Sequence, residues 1–239
     1  MTRPDRPLVI AHRGASGTLP ENTLPAYALA VEQGADMIEI DLHCSRDGAI
    51  VVTHDEGLER VGGLGEIADH TAAELRRFDA GGGAPFPLLG EVLDRFAHEL
   101  PFNLEIKRST RGPYEGLEAL AWEAVRERKI QNETLFSSFY DPVLRTLRNV
   151  AAEARIALLI SRRAPGGWPE RAKAVGAEAL NPEAFLVDSE LVARAHGEGL
   201  AVYVFTVDAP DEMRRLLDLG VDGLFTNVPD VMRRLLHTR

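Results

Sequence analysis

The sequence predicts a (β/α)8 TIM barrel, read as one domain over residues 1–239. Three observations predict it. Short apolar runs rich in Val, Ile and Phe alternate with helical patterns along the chain, the sequence form of repeated βα units around a parallel sheet. Eight such units can be counted, and eight strands close a barrel. The length, 239 residues, stands near the ~250 typical of such barrels. A doubly wound open sheet has the same alternation, and the length favours closure over it.

The first strand is placed at Leu8–His12, and a helix over Thr23–Gln33 follows. Gly34 stops that helix, because glycine enters the left-handed conformation of a helix end at little cost. The second strand, Met37–Leu42, leads to Asp47-Gly48, a turn that returns the chain in a short strand over Ala49–Thr53. Residues 56–101 then separate the second and third barrel strands by more than a crossover needs. They carry Gly62-Gly63, a helical piece over Thr71–Arg77, the run Gly81–Gly83 and a helix over Leu89–Ala97. An insertion of that length is expected to be functional, here as a lid over the barrel mouth. The third strand is Phe102–Ile106, followed by a helix over Tyr114–Lys129. Strands four to six are Thr134–Phe139, Arg155–Ile160 and Ala177–Asn181. The seventh is Ala201–Val207, and a helix over Asp211–Leu219, stopped by Gly220, leads to the eighth at Gly223–Thr226.

Composition narrows the partners. With 45% hydrophobic and 27% charged residues the chain can bury a full core. A formal charge of -10 argues against nucleic acid, which is held by clustered Lys and Arg. An anionic substrate therefore needs a local positive pocket. The single cysteine, Cys44, excludes an intramolecular disulfide and a thiolate metal cluster, and it is expected to be a small buried hydrophobe. Met1–Pro7 is polar, and no apolar run approaches the ~20 residues that span a bilayer. The expected location is cytoplasmic, without stable membrane association, and the pattern fixes no oligomeric state.

Charges within the strands carry the chemistry. Strand residues alternate faces, so Glu39, Asp41 and His43 point one way from the second strand, and Glu105 and Lys107 share a face of the third. Burying an unpaired carboxylate costs several kcal/mol, so inward acids sit at the open C-terminal end with a cation or proton to balance them. Three oxygen donors suit Mg2+ or Ca2+ better than zinc. A lattice of structural ion pairs is the plainer alternative for the same residues. Two histidines, His12 in Ala11-His12-Arg13-Gly14 and His54 in Thr53-His54-Asp55, follow strand ends, where barrel enzymes place catalytic groups. Imidazole titrates near pH 7, so a pair can take and give protons in one turnover, and Arg13 offers a forked donor for phosphate oxygens. Each of these alone is more often a surface residue, the reading given to His70, His98, His196 and His237. His43 reads equally as an orienting donor behind the site or as packing.

The chain resembles the glycerophosphodiester phosphodiesterases. The resemblance rests on His12-Arg13-Gly14, Pro20-Glu21-Asn22-Thr23, Gly34-Ala35-Asp36-Met37-Ile38-Glu39-Ile40-Asp41, Asp47-Gly48, His54-Asp55 and Asn103-Leu104-Glu105-Ile106-Lys107, in that order and spacing. Weaker echoes continue in Ser138-Phe139, Thr206-Val207 and Gly220-Val221-Asp222-Gly223. It implies metal-dependent hydrolysis of a small-molecule glycerophosphodiester to glycerol-3-phosphate and an alcohol. By the same resemblance His12 and His54 are the acid and base, Glu39, Asp41 and Glu105 hold the divalent cation, and Arg13 and Lys107 contact the phosphate. Glu21, Asn22 and Thr23 are read as architecture, with Asn22 or Thr23 capping the following helix and Pro25 tolerated in its first turn. Gly220-Val221-Asp222-Gly223 precedes the eighth strand, and so reads as a turn on the opposite face.

Some strings depart from the family's, and one of them bears on substrate preference. Phe205-Thr206-Val207-Asp208 stands where the family shows Trp-Thr-Val-Asn, which keeps an aromatic wall at Phe205, loses the indole donor and turns an amide into an acid. Ser137-Ser138-Phe139 replaces Gln-Ser-Phe, and Pro87-Leu88-Leu89 replaces Pro-Thr-Leu. Two alternatives remain: an enzyme of the lysophospholipase D type acting on lipid phosphodiesters, and a catalytically silent phosphate-binding module. A phosphosugar isomerase or aldolase ranks last, because the charges gather on the first three strands and not on the last two.

Overall fold

The computed structural model describes residues 4–238. In chain order the elements begin with β1 (Leu8–Ala11), α1 (Leu24–Glu32), β2 (Met37–Cys44), β3 (Ile50–Val52), α2 (Ala72–Leu75) and α3 (Leu89–Phe96). Then come β4 (Phe102–Ile106), β5 (Arg108–Ser109), β6 (Gly112–Pro113), α4 (Leu117–Glu127), β7 (Thr134–Ser138), α5 (Asp141–Val150) and β8 (Arg155–Ile160). The chain ends with α6 (Trp168–Val175), β9 (Ala179–Pro182), α7 (Ser189–Gly197), β10 (Ala201–Val204), α8 (Pro210–Asp218), β11 (Gly223–Thr226) and α9 (Pro229–His237).

Eight parallel strands run in the order β1, β11, β10, β9, β8, β7, β4, β2, and β1 pairs with β2 to close the barrel. The expected (β/α)8 fold is therefore the observed one. β3 is antiparallel to β2, with Leu42 opposite Val52 and Cys44 opposite Ile50, so the turn at Asp47-Gly48 does return the chain as a hairpin. Among the described residues no helix is long and apolar enough to cross a membrane.

Alternation along the strands separates two apolar layers. Ile38, Ile40 and Leu42 of β2 and Phe102, Leu104 and Ile106 of β4 face the helices in the main core. Burying each such side chain contributes roughly 1.5–3 kcal/mol. The opposite face lines the lumen, and there Ile10, Met37, Leu135, Ala157, Ala179, Ala201, Tyr203 and Phe225 form a second cluster. Met37 begins the inward column of β2, which continues through Glu39, Asp41 and His43 towards the strand's C-terminal end. The lumen is thus plugged by apolar groups below and turns polar above, the end at which barrel sites lie.

Local differences from the sequence expectation have physical causes. Thr23, and not Asn22, caps α1: its side chain accepts from the Ala26 amide, and Gly34 ends the turn at φ 76. α4 begins at Leu117, later than Tyr114, because Arg108–Ser109 and Gly112–Pro113 pair as a small hairpin first. β10 ends at Val204, and Phe205 continues only as a bridge to Glu183 while the Val207 amide turns to Phe225 O. Within residues 56–101, Leu89, Val92, Leu93 and Phe96 of α3 join the main core as a barrel crossover helix would. Leu58, Ile67, Leu75 and Phe86 instead build a small cluster of their own on Val51 of β3.

Candidate active site

The register of β2 on β4 sets the centre of the site. Asp41 pairs with Glu105 and Glu39 with Asn103, so the inward column of each strand meets its neighbour level by level. One donor oxygen from each of Glu39, Asp41 and Glu105 lies within 4.8 Å of the others, and all three side chains are buried. Arg13 and Lys107 are the nearby cations. Lys107 Nζ stands 2.6 Å from Glu105 Oε1 and 2.8 Å from Asp41 Oδ1. Arg13 Nε is 3.1 Å from Asp41 Oδ2, its NH1 group donates to Glu21 at 3.0 Å, and its backbone amide donates to Glu39 Oε2 at 2.9 Å.

The acids titrate apart. Burial first, then the charges of Asp41 and Glu105, push the Glu39 carboxyl well above the carboxylate range. Burial opposes ionisation of Asp41 as well, yet Lys107 and Arg13 override it and hold that carboxyl well below its usual value. Glu105 is raised by burial, which Lys107 only partly offsets. Lys107 is itself raised despite burial, by Asp41 and Glu105. Glu39 Oε1 is buried with no hydrogen-bond partner. An orphaned buried oxygen beside two further carboxylates is a donor set that fits a hard divalent cation, which takes oxygen ligands.

Both histidines reach this centre. A cavity of about 250 Å3 is lined by His12, Arg13, Glu39, His54, Glu105 and Lys107 among others. His12 Nδ1 lies 2.8 Å from Asn227 Oδ1. The amide is fixed in that orientation, because Asn227 Nδ2 donates to Asp208 Oδ2 at 2.7 Å while Ser16 Oγ donates to Asn227 Oδ1 at 2.8 Å. An amide oxygen only accepts, so Nδ1 of His12 carries the proton and Nε2 is left with its lone pair. Burial, helped by Arg13, lowers the His12 pKa to about 4, so the ring is neutral at neutral pH. His54 Nδ1 lies 2.7 Å from Asp55 Oδ1, and Arg60 bridges Asp55 and Glu21 from the far side.

His43 serves the site from behind. Its Nε2 lies 3.1 Å from the backbone oxygen of His54 and its Nδ1 2.6 Å from the Tyr114 hydroxyl. A carbonyl accepts, so Nε2 donates and the ring ties β2 to the loop that carries His54. Phe205 also lines the cavity, edge-on to Phe139 with centroids 5.7 Å apart. Every residue singled out for the site is therefore brought to one end of the barrel. His196 instead pairs with Asp222 near the other end of the strands, at 2.8 Å.

Three residues outside the predicted set take part. Asn22, at φ 56, donates from Nδ2 to Asp41 Oδ2 at 2.8 Å and accepts from the Tyr27 hydroxyl at 2.8 Å, so it holds an acid of the cluster and is not the helix cap. Asn227 and Asp208 orient His12. Nothing in the sequence marks Asn227 beyond its standing one residue after the last barrel strand.

Fold and site together define a (β/α)8 barrel whose C-terminal end gathers three buried carboxylates, two cationic side chains and two histidines, the site of a phosphate-ester hydrolase. The chain belongs to the glycerophosphoryl diester phosphodiesterase family, whose model matches residues 12–231. A glycerophosphodiester phosphodiesterase of Caldanaerobacter subterraneus subsp. tengcongensis is 35% identical, over 96% of this chain and 98% of that protein. One of Bacillus subtilis is 32% identical over 97% and 87%. Among solved structures, a phosphodiesterase from Oleispira antarctica in complex with the product sn-glycerol-3-phosphate superposes with a TM-score of 0.88 at 31% identity, covering 97% of both chains. A glycerophosphoryl diester phosphodiesterase described as putative, from Silicibacter pomeroyi, superposes with a TM-score of 0.92 at 29% identity, covering 98% of this chain and 94% of that one.

Proposed function

We propose that the chain is a phosphoric diester hydrolase that cleaves glycerophosphodiesters to glycerol-3-phosphate and an alcohol, using a divalent cation, Mg2+ or Ca2+, held by Glu39, Asp41 and Glu105. The observation that carries the reading is the meeting of that acidic cluster with His12 and His54 around one cavity. Named relatives of this activity and a neighbour that binds its product support it.

A bound cation would supply charge for the phosphate oxygens and for the extra charge they gain in the transition state. The chain's own groups do the rest. Arg13 and Lys107 contact the phosphate, exchanging part of their hold on the carboxylates for the substrate's oxygens. His12, neutral with Nε2 free, accepts the proton of the attacking hydroxyl, of water or of the substrate, as its oxygen bonds to phosphorus, and His54, its Nδ1 held by Asp55, gives a proton to the alcohol oxygen as its P–O bond breaks. Phe205 and Phe139 form an apolar wall beside them. Within residues 56–101 the part before α3 is read as a cover for the mouth, supported by the contacts of Arg60 with Glu21 and Asp55, while α3 packs as a crossover helix. Placement in the cytoplasm fits the absence of a membrane-crossing helix among the described residues.

The test is release of glycerol-3-phosphate from glycerophosphocholine and glycerophosphoethanolamine, first with EDTA and then with added Mg2+ or Ca2+. Cation-dependent release is expected. A folded protein that releases nothing from either diester with any cation refutes the reading.

A further inference from the structure

The inner cavity is only part of the space above the barrel. It adjoins a vestibule of about 770 Å3 that shares His54, Glu105, Lys107 and Phe205 with it, and that continues outward to Arg108, Arg162, Arg163 and Arg171. Four guanidiniums on one rim need an account in a chain of formal charge -10.

Two of them are neutralised within the protein. Arg171 grips Asp141, with Nε and NH2 at 2.8–3.1 Å from its carboxylate. Arg162 holds Glu183 through its backbone amide at 2.9 Å and its Nε at 2.7 Å. The other two are not. Among the described residues Arg108 makes no ion pair, and its guanidinium carbon lies over the Tyr140 ring, 4.2 Å from the centroid. That contact restrains the guanidinium without using its donors, which keeps a fork ready for a carboxylate or a phosphate. Among the described residues the Arg163 side chain makes no hydrogen bond or ion pair: its backbone amide meets Ser161 Oγ at 3.4 Å, and its charge reaches only Glu183, which Arg162 already holds. Against these two cations the vestibule offers, among the described residues, one carboxylate without an ion pair, Glu56, two residues beyond His54.

A phosphodiester held at the acidic cluster has two arms. One is glycerol, which is uncharged and gives guanidiniums nothing to neutralise. The other is the alcohol. On the reading given under Proposed function, we infer that the alcohol arm lies in the vestibule and carries an anionic group of its own, bound by Arg108 and Arg163. The preferred substrates are thus glycerophosphodiesters whose headgroup bears a carboxylate or a second phosphate, in preference to those whose headgroup is only a cation.

Glycerophosphoserine and glycerophosphoethanolamine test this directly, since they differ by one carboxylate on the headgroup. With saturating Mg2+ or Ca2+, kcat/KM for the serine ester is expected to exceed that for the ethanolamine ester by about three- to tenfold, the scale of a solvent-reaching charge pair. The ratio falls towards one in Arg108→Gln/Arg163→Gln, and towards one in the unaltered protein as salt is raised. Thermal melting of the variant checks that it is folded, and the single Arg108→Gln variant provides the same readout if the pair is not. A ratio at or below one in the unaltered protein overturns the inference, as does a high ratio that survives both substitutions. In either case turnover of the ethanolamine ester leaves the phosphodiesterase reading standing. Turnover of neither ester, in a folded and cation-loaded sample, removes that reading and this inference with it.

Discussion

Replacing Glu39 by glutamine is expected to stabilise the cation-free protein while removing its response to divalent cations. Glu39 is 2% exposed, and its donor oxygen lies within 4.8 Å of those of Asp41 and Glu105. Two unit charges at that separation repel by about 3 kcal/mol at an effective dielectric near 20. Arg13 and Lys107 return part of this, and uptake of a proton by Glu39 relieves more, which leaves a net strain of about 1–3 kcal/mol. Glutamine keeps the shape and an oxygen that accepts the Arg13 amide, now at 2.9 Å, so packing is unchanged. For a domain of this size about 1 kcal/mol moves Tm by about 2–4 °C, and the variant should melt about 2–12 °C higher in EDTA. The unaltered protein should gain about 2.7 kcal/mol, or about 5–10 °C, from a cation at a hundredfold excess over its Kd. Differential scanning calorimetry in EDTA and in Mg2+ or Ca2+ measures both. A variant that melts lower in EDTA and keeps the full cation shift would refute the reasoning, because Glu39 would then be a structural acid satisfied by protein partners.

Substitution of His12 or His54 by alanine is expected to abolish turnover with the fold retained, and near-normal release of glycerol-3-phosphate by either variant would remove them from the proton-transfer step. Asn227→Ala frees the His12 ring and should lower kcat by about 10- to 100-fold with a smaller change in KM, as expected when orientation and not binding is lost; steady-state kinetics distinguish the two. His43 contributes to acid stability, as His12 does with a pKa lowered to about 4 by burial. Burial holds the His43 pKa at about 4 against an ordinary 6.5, so below pH 6.5 the unfolded chain takes up a proton that the folded one refuses. Its contribution is complete above pH 6.5 and is lost as pH falls towards 4, a loss of up to about 3 kcal/mol at about 1.36 kcal/mol per pH unit. Urea denaturation at pH 7 and pH 4.5 should give a smaller difference for His43→Gln than for the unaltered protein.

Much of this was legible in the sequence for one reason: it is periodic. The barrel strands announce themselves as apolar runs at βα spacing, and the acids and histidines stand out because a charge within or just after such a run is unusual. The residues that were not legible are neutral, or act across the chain. Asn227 touches His12 from 215 residues away, and an asparagine beyond a strand end has no pattern to mark it. Asn22 resembled a helix cap because it precedes Thr23, and only the fold reveals that its amide is turned towards Asp41. The pair of Lys107 with Glu105 was legible as the ion-pair alternative, whereas the hold of Arg13 and Lys107 on Asp41 was not, since sequence fixes which face a side chain leaves from and not what it meets.

The acidic centre depends on an apolar choice. β2 and β4 are separated by the hairpin strand β3 and all of residues 56–101, so nothing local holds their register. It is set on the outer face, where Ile38 lies level with Phe102, Ile40 with Leu104 and Leu42 with Ile106, all packed in the core shared with the helices. Because successive side chains alternate, a slip of one residue would exchange the faces of β4, turning Glu105 into the helices and Leu104 into the lumen. Such a slip would bury a carboxylate among hydrocarbon side chains, at a cost of several kcal/mol. The same pairing that maximises apolar burial outside the barrel therefore brings Asp41 opposite Glu105 inside it. The cluster of like charges is tolerated because apolar packing on the outer face holds the register, so the three carboxylates are set out as a donor set that fits a divalent cation without one being needed to align the strands.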